Sequence, residues 1–436
     1  MMMTIKALKE TVGMKAEEEN AGSGKNSIIS LLILLIVILF LWNCSGRDPS
    51  KIVVWTSMRP AEQALLQKHL DKFAEKYPDY TIRQLFYSPE ELRNNFIISA
   101  IGGSGPAIVH GPNNNIGPWV ELDVISGLSM DFEPAFLDSF INHPFSANTW
   151  FRDELYQIAD RVGNHLCLIY NKDLLPEPPQ TMSELICLGS DLMQNGGANG
   201  KPVRYAIAWN FTEPFFIVPF ISGYGGWIMD EDFQPTLDNK AVIQAGQLIL
   251  DLIQSHGLMP KECDYEIANA LFKDELAAMI INGPWSFATY KENNLNFGVA
   301  RIPMIDETGL WPAPIVSPRG YSLNKNISGE QRKVAIELIR YLTSNKVMLD
   351  FTELSGTIPS RTEAYNSDLI ARDDLIQNSI EQLLVGNLSP VVTELQWIYD
   401  AMRPAYQGIF TGSLSPHEAA KKMQLSAEKL FRENRQ

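Results

Sequence analysis

Between residues 51 and 110 the chain switches hydrophobic period four times, and few folds accommodate that order. Lys51-Ile-Val-Val-Trp55 is β-branched and apolar, the composition of a strand. Residues 60–77 then place Leu65, Leu66, Leu70 and Phe73 on one helical face. Residues 80–86 alternate as a strand, 89–101 read as a second helix, and a Gly-rich turn leads into Ala107-Ile-Val-His110. A β-α-β-α-β order predicts an α/β layer with at least partly parallel strands. In such sheets functional groups gather beyond the carboxyl ends of strands, so the loops after Trp55 and after His110 are the first places to look.

Composition narrows the function classes. The 436 residues carry 36 basic and 51 acidic side chains, a net charge of −15, which argues against a nucleic-acid partner. Hydrophobic residues at 45% and charged residues at 20% describe a folded chain with ample core, and the length suits two or three domains. Cys44, Cys167, Cys187 and Cys263 are too widely spaced for a disulfide framework or a zinc site. Cys167, inside Leu166-Cys-Leu-Ile-Tyr170, reads as a buried small hydrophobe.

The apolar content is uneven, with fifteen uncharged residues at 28–42. That run is short for a membrane span and suits the core of an export signal. Leu41-Trp-Asn-Cys44 resembles a bacterial lipobox, which implies acylation of the Cys44 thiol. Trp42 and Asn43 depart from the small residues usual there, and the 27 preceding residues carry four Lys and four Glu instead of a positive excess. An uncleaved N-terminal anchor is the alternative. Both place the remaining chain outside the cytoplasm and tethered to a membrane.

Farther on, residues 155–159 and 166–170 read as strands joined by 160–165. Thr181 with Glu184 has capping-box spacing before a helix at 181–195. Helical periodicity returns at 239–256, 267–273, 329–343, 374–384 and 416–433. No Walker loop, no G-x-S-x-G elbow and no helical histidine pair occurs in the sequence. The pattern favours binding over catalysis, with no cofactor and no metal.

Several stretches in consistent order resemble the maltose-binding proteins, the carbohydrate group of extracytoplasmic solute-binding proteins that serve ATP-binding-cassette importers. They are Leu168-Ile-Tyr-Asn-Lys-Asp-Leu-Leu-Pro176, Asn210-Phe-Thr-Glu-Pro-Phe-Phe216, Asp264-Tyr-Glu-Ile-Ala268 and Ile281-Asn-Gly-Pro-Trp285. The resemblance implies a two-lobed α/β clamshell with hinge crossings, holding a sugar between its lobes. By position, lobe one would take 51–162 and 313–366, and lobe two 166–312 and 367–436, after the N-terminal segment at 1–44. It further implies a carbohydrate ligand, importer permease subunits as partners, a monomeric state, and a role other than catalysis. A sugar sensor coupled to a membrane signalling protein and a surface carbohydrate hydrolase are the competing functions.

Sugars offer hydroxyls to planar polar groups and C–H faces to aromatic rings. The resemblance assigns stacking or contact to Trp285, Phe215, Phe216, Tyr265 and Tyr399, with Trp397 as an alternative to Tyr399, and hydrogen bonding to Glu213 and Arg403. On the facing lobe the chain departs from the family. Met58, Asn114 and Asn164 stand where carboxylates are usual, Arg59 replaces a lysine, and Asn115 replaces an arginine. With three carboxylates lost, the expected ligand is a maltodextrin-like oligosaccharide or a related sugar or polyol that need not be maltose itself, and the change leaves room for different hydroxyl stereochemistry or an acidic group near Arg59.

Overall fold

Most strands of this chain divide between two sheets, and the division sets where a ligand can sit. The computed structural model describes residues 48–435, so the apolar run at 28–42 and Cys44 lie outside the described residues. In the first sheet, Lys51–Thr56 lies parallel to Thr81–Phe86 on one side and to Ile108–Pro112 on the other. The helices between them, Pro60–Ala74 and Pro89–Ile101, make these parallel crossovers. Each starts with proline in its first turn; Glu62 accepts from Arg59 N at 3.2 Å in the first, and Ser88 with Glu91 forms a capping box in the second.

The chain returns to this sheet much later. Arg319–Asn324 inserts antiparallel between Ile108–Pro112 and Glu154–Val162, and Ile358–Pro359 closes the far edge. The expected break after Ala159 does not occur. The strand runs on through Asp160 and Arg161 to Val162, because partners inside the fold satisfy both charges.

The second sheet has the order Phe297–Ala300, Cys167–Asn171, Ala277–Asn282, Tyr205–Ala208, with only the last pair parallel. Its central strands are buried at every position, which is why they read as unbroken apolar runs. Helices Met182–Asn195, Lys240–Gln254, Glu394–Phe410 and Pro416–Asn434 bury their apolar faces in the same core, beside Trp209, Phe272 and Tyr406. Thr181 caps the first of these through Glu184 N at 3.2 Å. The Glu184 carboxylate reaches Gln180 N instead of completing the box. Cys167 is fully buried, its Sγ 3.3 Å from Asn282 O, and burial pushes its thiol pKa up.

Three stretches run side by side between the sheets. Gly163 and Asn164 turn the chain out of the first sheet with φ of +130° and +50°, values open to glycine and tolerated by asparagine. Gly163 O accepts from Ser317 N at 2.7 Å, and Ile315–Val316 pairs with Asn387–Leu388. The result is a two-lobed α/β fold whose lobes join through a narrow ribbon.

Candidate functional site

The loops after Lys51–Thr56 and Ile108–Pro112 face the second sheet across a cleft. One cavity of about 530 Å³ opens between Met58, Arg59 and Asn164 on the first side and Tyr265, Trp285 and Thr289 on the second. A neighbouring cavity of about 710 Å³ is lined by Asn114 and Asn115 on the first side and Glu213 and Arg403 on the second. Ser57 and Pro89 border both, so the two cavities adjoin. Bonds also cross the cleft directly, from Arg59 Nη1 to Thr289 Oγ1 at 3.2 Å and from Arg93 Nη1 to Gln396 Oε1 at 3.1 Å.

Neutral amides hold the aromatic wall. Strand Ala277–Asn282 ends in Gly283-Pro-Trp285, a 3₁₀ turn that swings the indole back over the backbone. A Cβ on Gly283 would lie 2.1–2.4 Å from the Trp285 ring, so glycine is required for that approach. Asn282 Oδ1 accepts from Gly283 N, while its Nδ2 donates to Asn269 Oδ1 at 3.2 Å and Tyr290 Oη at 3.1 Å. Asn269 Nδ2 in turn donates to Tyr265 O at 2.7 Å. One buried network therefore anchors the backbone that carries Tyr265 and Trp285.

Buried charge holds the opposite wall. Arg161 contacts Glu62 at 2.5 Å and Asp160 at 2.9 Å. Burial alone would lower its pKa, but the two carboxylates raise it instead. Burial would raise Asp160 and Glu62, yet Arg161 holds both below the usual carboxylate range. His110 is fully buried, and that burial pushes its pKa down despite Asp160. It is therefore neutral, with Nε2–H donating to Asp160 Oδ1 at 2.9 Å. Arg319 stands on the adjacent strand opposite Arg161, and its Nη2 donates to Ser57 Oγ at 2.9 Å.

The assigned residues divide between cavity and core. Arg59, Asn164, Tyr265 and Trp285 line the first cavity; Asn114, Asn115, Glu213 and Arg403 line the second. Arg403 grips Glu213 through Nε and Nη2 at 3.1–3.3 Å, and the Asn114 Oδ1 is buried without a partner. The remaining aromatics pack elsewhere. Phe216 is 5% exposed within the core, and Phe215 meets it edge-on at 5.8 Å. Trp397 packs on Phe431 at 5.4 Å, and Tyr399 lies half-buried on the second core with its hydroxyl unpaired and its pKa raised by burial. The charged floor of Glu62, His110, Asp160, Arg161 and Arg319 had one sequence signal, the pair Asp160-Arg161 beside an apolar strand.

Comparison with known proteins places this geometry. A profile of the bacterial extracellular solute-binding protein family matches residues 68–378. The maltotriose-binding protein of Pyrococcus abyssi (strain GE5 / Orsay) is 26% identical over 364 residues, 82% of this chain and 77% of that protein. A maltooligosaccharide ABC transporter solute-binding lipoprotein of Streptococcus pneumoniae (strain ATCC BAA-334 / TIGR4) is 24% identical over 56% of this chain and 58% of that one. The maltose/maltodextrin-binding domain of Bdellovibrio bacteriovorus, solved with maltotriose, is 39% identical, with a TM-score of 0.80 over 88% of this chain and all of that one.

Proposed function

The chain belongs to the bacterial extracellular solute-binding proteins, and from that membership we propose that it captures an oligosaccharide in the Trp285 cleft and delivers it to an ATP-binding-cassette importer. It is a binding protein and not an enzyme, and it acts outside the cytoplasm. The observation that carries the sugar reading is the pairing of Trp285 and Tyr265 on one wall with polar side chains on the other, across two adjoining cavities. An apolar ring face and a ring of planar donors and acceptors are what a pyranose presents a need for. Resemblance to relatives named for maltotriose and maltooligosaccharides supports a glucose oligomer as the first ligand to try.

In this reading the contacts come from Trp285, Tyr265, Glu213 and Arg403 on lobe two, residues 166–312 and 367–436. Arg59, Asn114 and Asn115 supply them from lobe one, residues 51–162 and 313–366, and Asn164 from the crossing between the lobes. Closure about the crossing at Gly163 and Asn164 brings the two sets onto one ligand, and ligand shifts the open–closed balance by binding both. The closed monomer then presents a surface to the permease subunits. A membrane tether, through acylated Cys44 or an uncleaved N-terminal helix, keeps it near them.

Calorimetry against maltose, maltotriose, maltotetraose and galacto-oligosaccharides tests the reading, with mass spectrometry of any ligand that co-purifies. Binding in the micromolar range or tighter by at least one oligosaccharide is expected; a panel with no heat and no co-purifying sugar would reject it. Mass spectrometry of the N-terminus separates a diacylated or triacylated Cys44 from an intact leader.

A further inference from the structure

Glu62, Arg161 and Arg319 of the charged floor all line the cavity, but the carboxylates of the floor are already partnered. Glu62 is occupied by Arg161 Nη1 at 2.5 Å, by Arg59 N at 3.2 Å and by Ser355 Oγ at 3.5 Å. Asp160 is occupied by His110 and Arg161 behind the wall. By contrast, Arg319 has five N–H donors and one protein acceptor, Ser57 Oγ at 2.9 Å. Arg59 has Thr289 Oγ1 at 3.2 Å. Neither guanidinium pairs with a carboxylate among the described residues, and both line the cavity that holds Trp285. The remaining acid on that lining is Glu292, which is exposed at the rim.

Local backbone geometry aims Arg319 there. The pairing of Arg319–Asn324 with Glu154–Val162 slips between Arg319 and Gly320, an irregularity that redirects a side chain. Gly320 permits it, since a Cβ would lie 2.2 Å from Ile158 O. Burial, then the charge of Arg161, lowers the Arg319 pKa, as befits a guanidinium held short of acceptors. Closing the cleft on a neutral sugar would supply hydroxyl acceptors but no carboxylate in direct contact with either guanidinium, since Asp160 and Glu62 act on Arg319 only through space. A carboxylate or phosphate offers bidentate, charge-assisted partners to both.

We propose that the ligand is an acidic oligosaccharide, whose carboxylate or phosphate substituent seats between Arg59 and Arg319 while a neighbouring sugar ring stacks on Trp285. The inference rests on the oligosaccharide reading and narrows its substrate class. Calorimetry with three probes tests it: maltotriose, maltotriose oxidised to a glucuronate at its non-reducing end, and maltotriose bearing a 6-phosphate there. One or both acidic probes should bind about tenfold or more tightly than maltotriose at low salt, a gain that shrinks as ionic strength rises. Which acid gains more separates a sugar acid from a sugar phosphate.

Arg319→Gln and Arg59→Gln should each reduce the acidic-to-neutral affinity ratio. Arg319 belongs to the floor, so its variant is first checked for a cooperative melt. Arg59 meets Glu62 through its backbone N, so Arg59→Gln retains that cap and carries the test alone if the other variant does not fold. Maltotriose binding as tightly as both acidic probes would overturn this inference and leave the oligosaccharide reading standing. Silence from all three probes would overturn this inference, and the oligosaccharide reading falls with it only when the wider sugar panel is silent too and no sugar co-purifies.

Discussion

The two walls of the cleft are built on opposite principles. On the Trp285 side, asparagine amides tie a glycine turn, a tyrosine hydroxyl and a helix start into one neutral network. On the Arg161 side, two carboxylates, two guanidiniums and a neutral histidine share a space that water barely reaches. A neutral network is inexpensive to bury once every donor finds an acceptor. Buried charges are costly unless each keeps its partner, so they fix a geometry but leave it brittle. The first wall is therefore suited to presenting a ring face, and the second to discriminating charge.

This contrast is broken most directly by removing Arg161. Arg161→Met leaves Asp160 and Glu62 buried without their cation, and unfolding free energy should fall by about 3–5 kcal/mol in urea melts. A loss under about 1 kcal/mol would mean that the floor is hydrated and the contrast false. Gly283→Ala strikes the other wall. Its new Cβ must displace the Trp285 ring, which should cost about 1–3 kcal/mol of stability through overpacking. Affinity for the oligosaccharide should fall with it, and unchanged affinity would remove Trp285 from the site.

The unequal legibility of the two walls follows from the same physics. Helices Pro89–Ile101 and Asp374–Leu384 stand at the bounds that their periodicity predicts, because their caps and apolar stripes are local signals. Ala277–Asn282 is buried on both faces, so it has no alternation to read. Glu394–Phe410 carries Pro404 in its interior, which disguises a helix that tertiary packing sustains. At the site, the turn Asn282-Gly-Pro-Trp285 is contiguous and was recognisable. Arg319, Arg161 and Glu62 meet only because strands far apart in sequence become neighbours, and Ser-Pro-Arg319-Gly reads locally as a turn. Phe216 and Trp397 have the same composition as ligand-facing rings. Packing separates them: Phe216 is buried in the core, and Trp397 is half-buried against Phe431.

Acid provides a finer probe of how the lobes are joined. His165 is buried beside the crossing, with Nε2 2.9 Å from Ser379 O, and burial lowers its pKa to about 4. His69 and His110 are also lowered, burial being the first cause in each. The unfolded chain takes up protons on these rings below about pH 6.5, while the folded chain does not, so stability is full above that value and falls with falling pH. His165 alone should account for roughly 2 kcal/mol lost between pH 7 and pH 5. The depressed carboxylates Asp160 and Glu62 act in the same direction but only below about pH 5, where unfolded carboxylates begin to protonate. His165→Asn should flatten the slope between pH 7 and pH 5, and an unaltered slope would assign it to other groups.

The smallest effect on stability should come from the ion pair that faces the cleft on the aromatic side. Arg403 and Glu213 are bidentate but 36% and 43% exposed, and they join the 3₁₀ turn Pro214–Phe216 to helix Glu394–Phe410 within one lobe. Solvent screens such a pair, so a double-mutant cycle of Glu213→Gln and Arg403→Gln should give a coupling of about 0–1 kcal/mol in stability. The same cycle read in oligosaccharide affinity should be larger, because closure over a ligand removes the screening water and makes the carboxylate's orientation matter. A stability coupling above about 2 kcal/mol would show that this wall also depends on buried charge. Equal couplings in stability and affinity would instead make the pair a strut between turn and helix, with Glu213 facing the cavity but not reading the sugar.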